Sequence, residues 1–341
     1  MAEETDLPEE EKEFFEHHRF VADPKQTMLR IDKFVTDRIT NVSRSKIQSA
    51  ADANAILVNN KPVKSSYKVK PGDVISIVMP HPPHEFELIA EDIPLNIVYE
   101  DEALIIINKE AGMVVHPGHG NYTGTMLNAL LYYFRDDTNA HPYLVHRIDK
   151  DTSGILVVAK TEVSQAALAK YFFDHDIERK YWALVWGDFD TDEGTVTGNI
   201  GRNFRNRLMM DVFPDESQGK HAVTHYRVIE RFRYVTLIEC QLETGRTHQI
   251  RAHMQHIGHN LFNDALYGGD AVLKGTTFTK YKQFVTNCFQ IIPRQALHAK
   301  SLGFIHPTTN KKIFFDSELP NDMQQVLLKW KNYIQTSHEF I

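Results

Sequence analysis

Residues 146–160 have the sequence HRIDKDTSGILVVAK, in which a short polar segment leads directly into an apolar run. The run at Ile155–Ala159 has the length of a buried strand and is far too short to cross a membrane. A loop that a buried strand holds in place is a rigid support for reactive groups. Because this loop contains His146, Arg147 and Asp149, we take it as the candidate active site.

The loop partly resembles a calcium-binding loop, since oxygen-bearing side chains alternate from Asp149 onward. The twelfth position of such a loop must be a bidentate Glu, and it is Lys160 here, so we exclude calcium. The side chains of Asp151, Thr152 and Ser153 suit ordinary turn hydrogen bonding. Asp149 differs from them because a histidine and an arginine precede it, and we favour a chemical role for this residue.

A second cationic cluster occurs at residues 244–254, with the sequence TGRTHQIRAHM. A helix is predicted to begin after its glycine, with Ile250 and Met254 on the apolar face. Arg246 and Arg251 then lie at or near the first turns, where positive charge opposes the helix dipole. We therefore expect an anionic group to compensate them, either an RNA phosphate or a buried carboxylate.

The histidines of this region raise the possibility of a zinc hydrolase. His248, His253, His256 and His259 are close in sequence, but there is no HExxH motif, no nearby acidic ligand and no nearby cysteine. We therefore predict no bound metal. The glycine-rich loop at residues 116–125 lacks the GK[ST] ending of a phosphate-binding loop, so no nucleotide-binding fold is implied.

Composition narrows the class of protein further. The 341 residues are 42% hydrophobic and 24% charged, which is typical of globular chains and excludes disorder throughout. Cys240 and Cys288 are too few for a disulfide framework. Apolar runs long enough to span a membrane are absent from the sequence, and the N-terminus is acidic where a signal peptide is basic. We expect a cytoplasmic protein without a membrane partner.

Charge is distributed unevenly along the chain. Residues 1–27 contain nine acidic and three basic side chains, a composition that predicts a solvated tail, either disordered or marginally helical. Residues 28–78 contain nine basic and four acidic side chains, so the net charge of −7 conceals a basic module. A basic face is suited to contact with a phosphate backbone, although a merely solvated surface has the same composition.

The periodicity of apolar residues suggests the domain organisation. The basic module has a first helix from Ile31, a second from Arg44 with Ser43 as its cap, and then short strands. Residues 79–90 are proline-rich and are predicted to form a linker, followed by a larger domain over residues 91–341. Its strands and helices mix without regular alternation, which favours an α+β fold with a largely antiparallel sheet.

Several segments together resemble a known family, the RluA/RluD-type pseudouridine synthases, and residues 28–78 resemble the small RNA-binding module named after ribosomal protein S4. The pieces are NKEAGMVVHPGHGNYTGTMLNALL (108–131), HRIDKDTSGILVVAK (146–160), RKYWALVWG (179–187), GKHAVTHYRV (219–228), ETGRTHQIRAHM (243–254), LYGGD (266–270) and QALHAKSLGFIHP (295–307). The resemblance implies a curved mixed sheet with a central cleft and an isomerase that uses neither metal nor cofactor. It also implies structured RNA as the partner, with large-subunit (23S) ribosomal RNA favoured over transfer RNA, and a role in ribosome biogenesis; we expect a monomer.

The resemblance assigns roles to individual residues. Asp149 is the catalytic carboxylate, which attacks the anomeric carbon, removes a ribose proton to give a glycal, or attacks the base; the sequence does not choose among these routes. Arg251 is the cation that pairs with it, with Arg246 as second candidate, and Tyr181 stacks on the uracil. The predicted RNA-binding residues are His146, Arg147, Arg246, Arg30, Lys33, Arg44, Lys46 and Lys61. Arg147 is expected to enter the space that the flipped nucleotide leaves, and His146 to orient its neighbours.

A non-catalytic RNA-binding protein with the same fold is the alternative from a different functional class. Such a protein has no need for a carboxylate among RNA phosphates, so the presence of Asp149, Tyr181 and Arg251 together favours the enzyme.

Overall fold

The computed structural model describes residues 15–39, 42–79, 88–118, 121–214 and 218–338. The chain divides between Glu87 and Leu88 into two compact units. Within the described parts of the chain, no helix combines the length and the apolar character that crossing a bilayer requires.

The N-terminal unit is a small α+β structure. In chain order its elements are β1 (Phe15–Val21), β2 (Leu29–Arg30), α1 (Ile31–Thr36), α2 (Arg44–Asp52), β3 (Ile56–Val58), β4 (Lys61–Pro62), β5 (Lys68–Val69) and β6 (Val74–Met79). Strands β1, β6, β3 and β4 form one antiparallel sheet in that order, and β2 pairs with β5. The two helices bury Phe34, Val35 and Ile47 in the core of this unit. The predicted N-cap is also present, because the Ser43 hydroxyl accepts a hydrogen bond from the Lys46 amide at 3.4 Å.

The prediction of a solvated tail over residues 1–27, disordered or marginally helical, is wrong where the chain forms β1. Phe15–Val21 forms a strand that pairs antiparallel with Val74–Met79. Phe20 packs against the core of the unit, and Ala22 is buried within it. The strand was missed because the segment as a whole is strongly acidic. A strand needs apolar residues on only one face, so a segment with many charged residues can still form one. Residues 1–14 lie outside the described residues, and so do residues 80–87 of the predicted linker, whose first residue, Met79, belongs to β6.

The C-terminal unit is larger and is built around one long sheet. In chain order its strands and helices are β7 (Ile97–Glu100), β8 (Leu104–Lys109), α3 (Met126–Tyr133), β9 (Tyr143–Leu144), β10 (Ser153–Ala159), α4 (Glu162–Phe173), β11 (Glu178–Trp186), β12 (Glu193–Arg202), β13 (Met210–Phe213), β14 (Lys220–Arg231), β15 (Val235–Leu242), α5 (Gln249–His256), α6 (Thr279–Ile291), β16 (Leu297–Ile305), β17 (Lys312–Asp316) and α7 (Asn321–His338), with a 3₁₀ turn at Ala265–Tyr267.

These strands form an eleven-stranded sheet among the described residues. Its main path runs β13-β12-β14-β15-β11-β16-β10-β8-β7, with β17 added to β16 and β9 to β10. Among the strand pairings within the described residues, β10 with β16 is parallel and the others are antiparallel. The predicted α+β class with a largely antiparallel sheet is thus confirmed.

The C-terminal helix α7 closes the core at one side of this unit. The apolar stripe of α7 includes Met323, Val326 and Trp330, and it packs with Trp186 and Phe262 in one buried cluster. Burial of a large aromatic side chain contributes about 1.5–3 kcal/mol relative to exposure, so this cluster is a main source of stability.

The parallel pairing of β10 with β16 explains why residue 154, just after the polar loop, is a glycine. Gly154 has a φ of +118° and lies opposite Ala299 of β16. A Cβ atom at this position would lie 2.2 Å from the Ala299 carbonyl oxygen. Only glycine permits both the backbone angle and this close approach, which fixes where β10 begins and therefore where the loop ends.

Candidate active site

The polar loop of residues 145–152 enters the fully buried strand β10 and is held by buried cations. Lys109, at the end of β8, donates hydrogen bonds to the carbonyl oxygens of Glu110, Met113 and Lys150 at 2.7–2.9 Å. Arg294 donates to the Asp151 carbonyl oxygen at 2.9 Å. Burial lowers the pKa of Lys109 to about 7, while the three carbonyl oxygens match the three N–H bonds of its ammonium group.

Asp149 lies in the wall between two adjacent cavities. The first has a volume of about 440 Å³ and the second about 600 Å³, which are ordinary sizes for ligand sites. Both cavities are lined by Arg147, Asp149, His248 and Arg251. The side chain of Asp149 is 22% exposed, so a ligand in either cavity can reach its carboxylate.

Arg251 connects Asp149 to a second, buried carboxylate. Its Nη1 atom donates to Asp149 Oδ2 at 3.3 Å, while Nε and Nη2 donate to the two oxygens of Asp264 at 2.7 and 2.8 Å. Burial disfavours the charged guanidinium, but the paired Asp264 outweighs burial, and the pKa of Arg251 is raised. The anionic compensation that we predicted for Arg251 is therefore a buried carboxylate. The guanidinium also lies over the Tyr267 ring, 4.8 Å from its centre.

Helix α5 begins later than the glycine pattern predicts, and this changes the position of Arg246. His248 has a φ of +52°, so the helix starts at Gln249 and Arg246 precedes it. The Arg246 Nε donates to the His221 carbonyl oxygen at 3.0 Å, and its side chain lines the first cavity.

His248 lies beside Asp149 because of this left-handed conformation. Its Nε2 is 3.9 Å from Asp149 Oδ2, and its Nδ1 is 3.0 Å from the Tyr267 hydroxyl. Burial lowers the pKa of His248, although the Asp149 carboxylate opposes this effect. A positive φ outside glycine is uncommon and is found in functional sites, where the surrounding structure enforces it.

Tyr181 and Arg147 also line the cavities beside Asp149. Tyr181, on β11, lines the first cavity, and burial raises the pKa of its phenol, which therefore stays protonated at neutral pH. Arg147 is exposed and lines both cavities. Asp149, Arg251 and Tyr181, which are far apart in sequence, thus line one cavity.

His146 is placed differently from the other predicted RNA-binding residues. Its Nε2 accepts a hydrogen bond from the Val157 amide at 3.0 Å, and its ring stacks on Phe172 with a centroid distance of 4.4 Å. Burial lowers its pKa to about 3, with Arg179 as a second cause, so the ring is neutral. An orienting role fits these contacts better than a direct bond from Nε2 to RNA.

Arg30 and Arg44 of the N-terminal unit converge on one buried aspartate. Asp32 accepts hydrogen bonds from Arg30 at 2.9 and 3.2 Å, from Arg44 at 3.1 Å and from Gln48 at 3.0 Å. The pKa of Asp32 is held well below its usual range, chiefly by Arg30. Asp32 is wholly buried, whereas the side chains of Arg30 and Arg44 are 46% and 53% exposed. The predicted lysines of this unit are also exposed, namely Lys33, Lys46 and Lys61.

The histidines that suggested zinc have other partners. His253 Nδ1 is 2.9 Å from the Thr224 hydroxyl, and His259 Nδ1 is 2.9 Å from the Trp186 carbonyl oxygen. Among the residues that the structure describes, no group of three or more His, Cys, Asp or Glu side chains is arranged to hold a metal ion.

Three residues of the site were missed in the sequence, and a fourth, His248, was considered only as a possible zinc ligand. Lys109, Arg294 and Asp264 are buried polar groups, and the contacts that join them to Lys150, Asp151 and Arg251 span 41, 143 and 13 positions. The left-handed backbone of His248 has no local signal. The one available indication was that a buried cation at Arg251 requires compensation, but the position of the acid could not be deduced from it.

Comparison with known proteins finds relatives over most of the chain. The family described as RNA pseudouridylate synthase matches residues 103–256, and the S4 domain matches residues 29–75. An uncharacterized RNA pseudouridine synthase from Chlorobaculum parvum is 45% identical over 319 residues, covering 92% of this chain and 97% of that protein. The ribosomal large subunit pseudouridine synthase D of Zymomonas mobilis is 43% identical, covering 86% and 92% respectively. The protein of the same description from Vibrio cholerae is 42% identical, covering 88% and 90%.

The fold has a solved counterpart as well. Human RNA Pseudouridylate Synthase Domain Containing 4 is 21% identical, with a TM-score of 0.54 over 69% of this chain and 93% of that one. At this identity the likeness concerns the fold alone. The sequence relationships over most of both chains, together with the matching family profile, show that this chain belongs to the RNA pseudouridylate synthase family, isomerases that act on RNA, and that its N-terminal unit contains an S4 domain.

Proposed function

We propose that this enzyme isomerises uridine in large-subunit ribosomal RNA and that Asp149 is its catalytic carboxylate. The observation that carries the proposal is the Asp149 carboxylate at a cavity wall, 3.3 Å from the buried guanidinium of Arg251. Relatives described as ribosomal large subunit pseudouridine synthase D support the class of RNA. Transfer RNA is the competing substrate.

The chemistry requires only groups that this chain supplies. Pseudouridine forms when the bond between C1′ and N1 breaks, the uracil turns, and C1′ bonds to C5; N1 gains a proton and C5 loses one. No electrons and no groups are exchanged with another molecule, so the reaction needs neither a redox cofactor nor a second substrate. An anionic oxygen near the ribose and a group that relays a proton are sufficient in principle.

Asp149 suits each of the three routes because its carboxylate faces a cavity and has the positive charge of Arg251 on one side. As a nucleophile it attacks the anomeric carbon in the manner of a retaining glycosidase. As a base it removes a ribose proton to give a glycal, and in the third route it attacks the uracil ring. Each route requires an ionised carboxylate, and the guanidinium of Arg251 lies 3.3 Å from Asp149 Oδ2.

Tyr181 and Arg147 act on the extruded nucleotide. The Tyr181 ring offers a face on which a flipped uracil can stack. Because its hydroxyl is protonated, Tyr181 can relay a proton only if the hydroxyl accepts one proton while it donates its own. Arg147 is exposed at both cavities and can fill the position that the nucleotide leaves in its helix. The S4 domain supplies affinity through Arg30 and Arg44, whose shared carboxylate, Asp32, fixes their orientation.

Substitution of Asp149 tests the catalytic assignment. Asp149→Asn is expected to bind RNA with nearly wild-type affinity and to form no pseudouridine, measured by tritium release from RNA labelled at uridine C5. Asp190→Asn, at an exposed position that lines neither cavity, is the matched control and is expected to retain activity. Undiminished product from the Asp149 variant would reject the assignment.

The substrate class requires a separate experiment. Pseudouridines are mapped in the ribosomal and transfer RNAs of a strain that lacks this gene and of the same strain after complementation. We expect one or more sites in large-subunit ribosomal RNA to disappear and to return on complementation. Loss confined to transfer RNA would replace ribosomal RNA by the competing substrate.

A further inference from the structure

Arg179 is a buried cation without an acidic partner. Like Arg251 it is 6% exposed, but Arg251 has two carboxylates, and no carboxylate in the described residues lies within 4 Å of the Arg179 guanidinium. Its Nη2 donates to the Glu243 carbonyl oxygen at 3.3 Å, and its buried Nε has no hydrogen-bond partner. A guanidinium remains protonated in proteins, so this buried charge cannot be removed by loss of a proton.

The guanidinium is accommodated by a glycine. A Cβ atom at Gly245 would lie 2.6 Å from Arg179 Nη1. The backbone of Gly245 is not in the left-handed region, so its conformation does not require glycine. The space above Gly245 therefore serves the Arg179 side chain, which places it in the wall of the first cavity.

The charges around this cavity identify the kind of group that Arg179 can bind. Four arginines line the cavity, namely Arg147, Arg179, Arg246 and Arg251, and Asp149 is the one acid among the lining residues. Asp149 already bonds to Arg251. Arg179 is two residues before Tyr181 on β11, and alternate residues of a strand share a face, so both side chains line the same cavity.

We propose that Arg179 binds a backbone phosphate of the RNA beside the target nucleotide. The proposal rests on the proposed function, which places the reacting ribose at Asp149. A phosphate matches the charge and the forked geometry of the guanidinium of Arg179, a residue that lines the cavity. A uracil carbonyl offers an acceptor without a charge, so it would leave the buried cation uncompensated.

Binding measured as a function of salt tests the contact. The probe is an RNA stem-loop around the uridine mapped in the deletion strain, and the proteins carry Asp149→Asn so that no product forms. Adding Arg179→Gln is expected to weaken binding about tenfold or more. It should also reduce the slope of log K against log salt by about 0.7–0.9, the value for one phosphate. Arg179→Lys is expected to retain the slope, and Arg135→Gln, which removes an exposed arginine that lines neither cavity, to retain both affinity and slope.

Phosphate ethylation locates the contact. Ethylating one phosphate per RNA molecule neutralises it, and the molecules that no longer bind reveal the phosphates that matter. A phosphate flanking the target uridine is expected to be required by the parent protein and to lose its effect with Arg179→Gln. Gly245→Ala is expected to reproduce the loss, because the added methyl group displaces the guanidinium.

Stability separates this role from a structural one. Because Arg179 is buried without an acidic partner, Arg179→Gln should leave the thermal midpoint unchanged or raise it. A lowered midpoint with unchanged RNA affinity would overturn the proposal. An affinity loss without a change in salt slope would also overturn it and would indicate the uracil. So would a shifted pH profile of activity at constant affinity, measured for Arg179→Gln in the protein that retains Asp149, which would indicate Tyr181. Activity in the Asp149→Asn protein rejects the proposed function, whereas the phosphate contact is judged from binding alone.

Discussion

Replacing Asp264 by asparagine removes the charge that fixes Arg251. The carboxylate of Asp264 accepts two hydrogen bonds from Arg251, and one of its oxygens also accepts from the Tyr267 amide at 3.3 Å. An asparagine in the same position offers one oxygen acceptor and turns an amide NH₂ group toward the guanidinium. Arg251 would then keep Asp149 as its one acidic partner, at the longer distance of 3.3 Å.

Burial makes this substitution costly. The side chain of Asp264 is 1% exposed and that of Arg251 is 7% exposed. Breaking a buried ion pair by removing one partner costs about 3–5 kcal/mol. For a unit of this size, each kcal/mol lowers the melting temperature by about 2–4 °C, so the expected decrease is about 6–20 °C. Asp149→Asn should have a much smaller effect, about 1 kcal/mol, because its side chain is 22% exposed and it makes one long bond.

The intrinsic fluorescence of the protein provides a selective measurement. Trp182, Trp186 and Trp330 are the three tryptophans of the sequence, and all belong to the C-terminal unit. Thermal unfolding followed by tryptophan fluorescence therefore reports this unit, while tritium release below the melting temperature reports activity. We expect Asp264→Asn to lower kcat by about 10²-fold, the loss associated with displacing a catalytic contact by about 1 Å.

Two outcomes would refute the argument. A melting temperature of the Asp264 variant within about 2 °C of wild type would mean that the ion pair is not a major source of stability, since about 3 kcal/mol would lower it further. Equal destabilisation by Asp149→Asn and Asp264→Asn would mean that burial does not distinguish the two carboxylates. The Asp190→Asn protein is the reference for the loss of an exposed acid.

Three further predictions concern pH and the N-terminal unit. Burial lowers the pKa of His253 to about 4, so the unfolded chain binds more protons below pH 6.5, and the histidine's contribution to stability, present above pH 6.5, is lost as the pH falls. Between pH 7.5 and pH 5 the free energy of unfolding, measured with urea, should fall by about 2 kcal/mol less in His253→Asn than in wild type. Equal decreases in the two proteins would contradict this prediction. Asp32→Asn should lower RNA affinity about tenfold, because Arg30 and Arg44 lose the carboxylate that orients them. Asp37→Asn, which changes an exposed neighbour, should leave the affinity unchanged. Equal affinities of the two variants in filter binding would show that Asp32 does not orient the arginines for RNA binding. Deleting residues 1–24 removes Phe15–Val21 and should accelerate amide exchange in β6, whereas deleting residues 1–13 should not; unchanged exchange after the longer deletion would show that this strand does not protect β6.

Local patterns predicted the elements that depend on neighbours along the chain. Ser43 caps its helix as predicted, and Ile250 and Met254 form the buried apolar face of theirs. Capping and periodicity involve residues within a few positions of each other, so the sequence contains the whole signal. The strand Phe15–Val21 was missed because its partner, Val74–Met79, is more than fifty residues away.

Short motifs and local patterns are sufficient to establish the family resemblance, to predict the α+β class and to mark Asp149 as the candidate carboxylate, because they consist of residue types in a given order. Which charges meet became known from the folded chain. Asp149 and Arg251 are 102 residues apart, and Asp264, which orients the arginine, came to light only in the folded chain. Whether a buried arginine has an acid beside it, as Arg251 does, or none among the described residues, as Arg179 does, depends on which distant segments the fold brings together. Long-range pairing of this kind results from burial of the whole core and has no local signature.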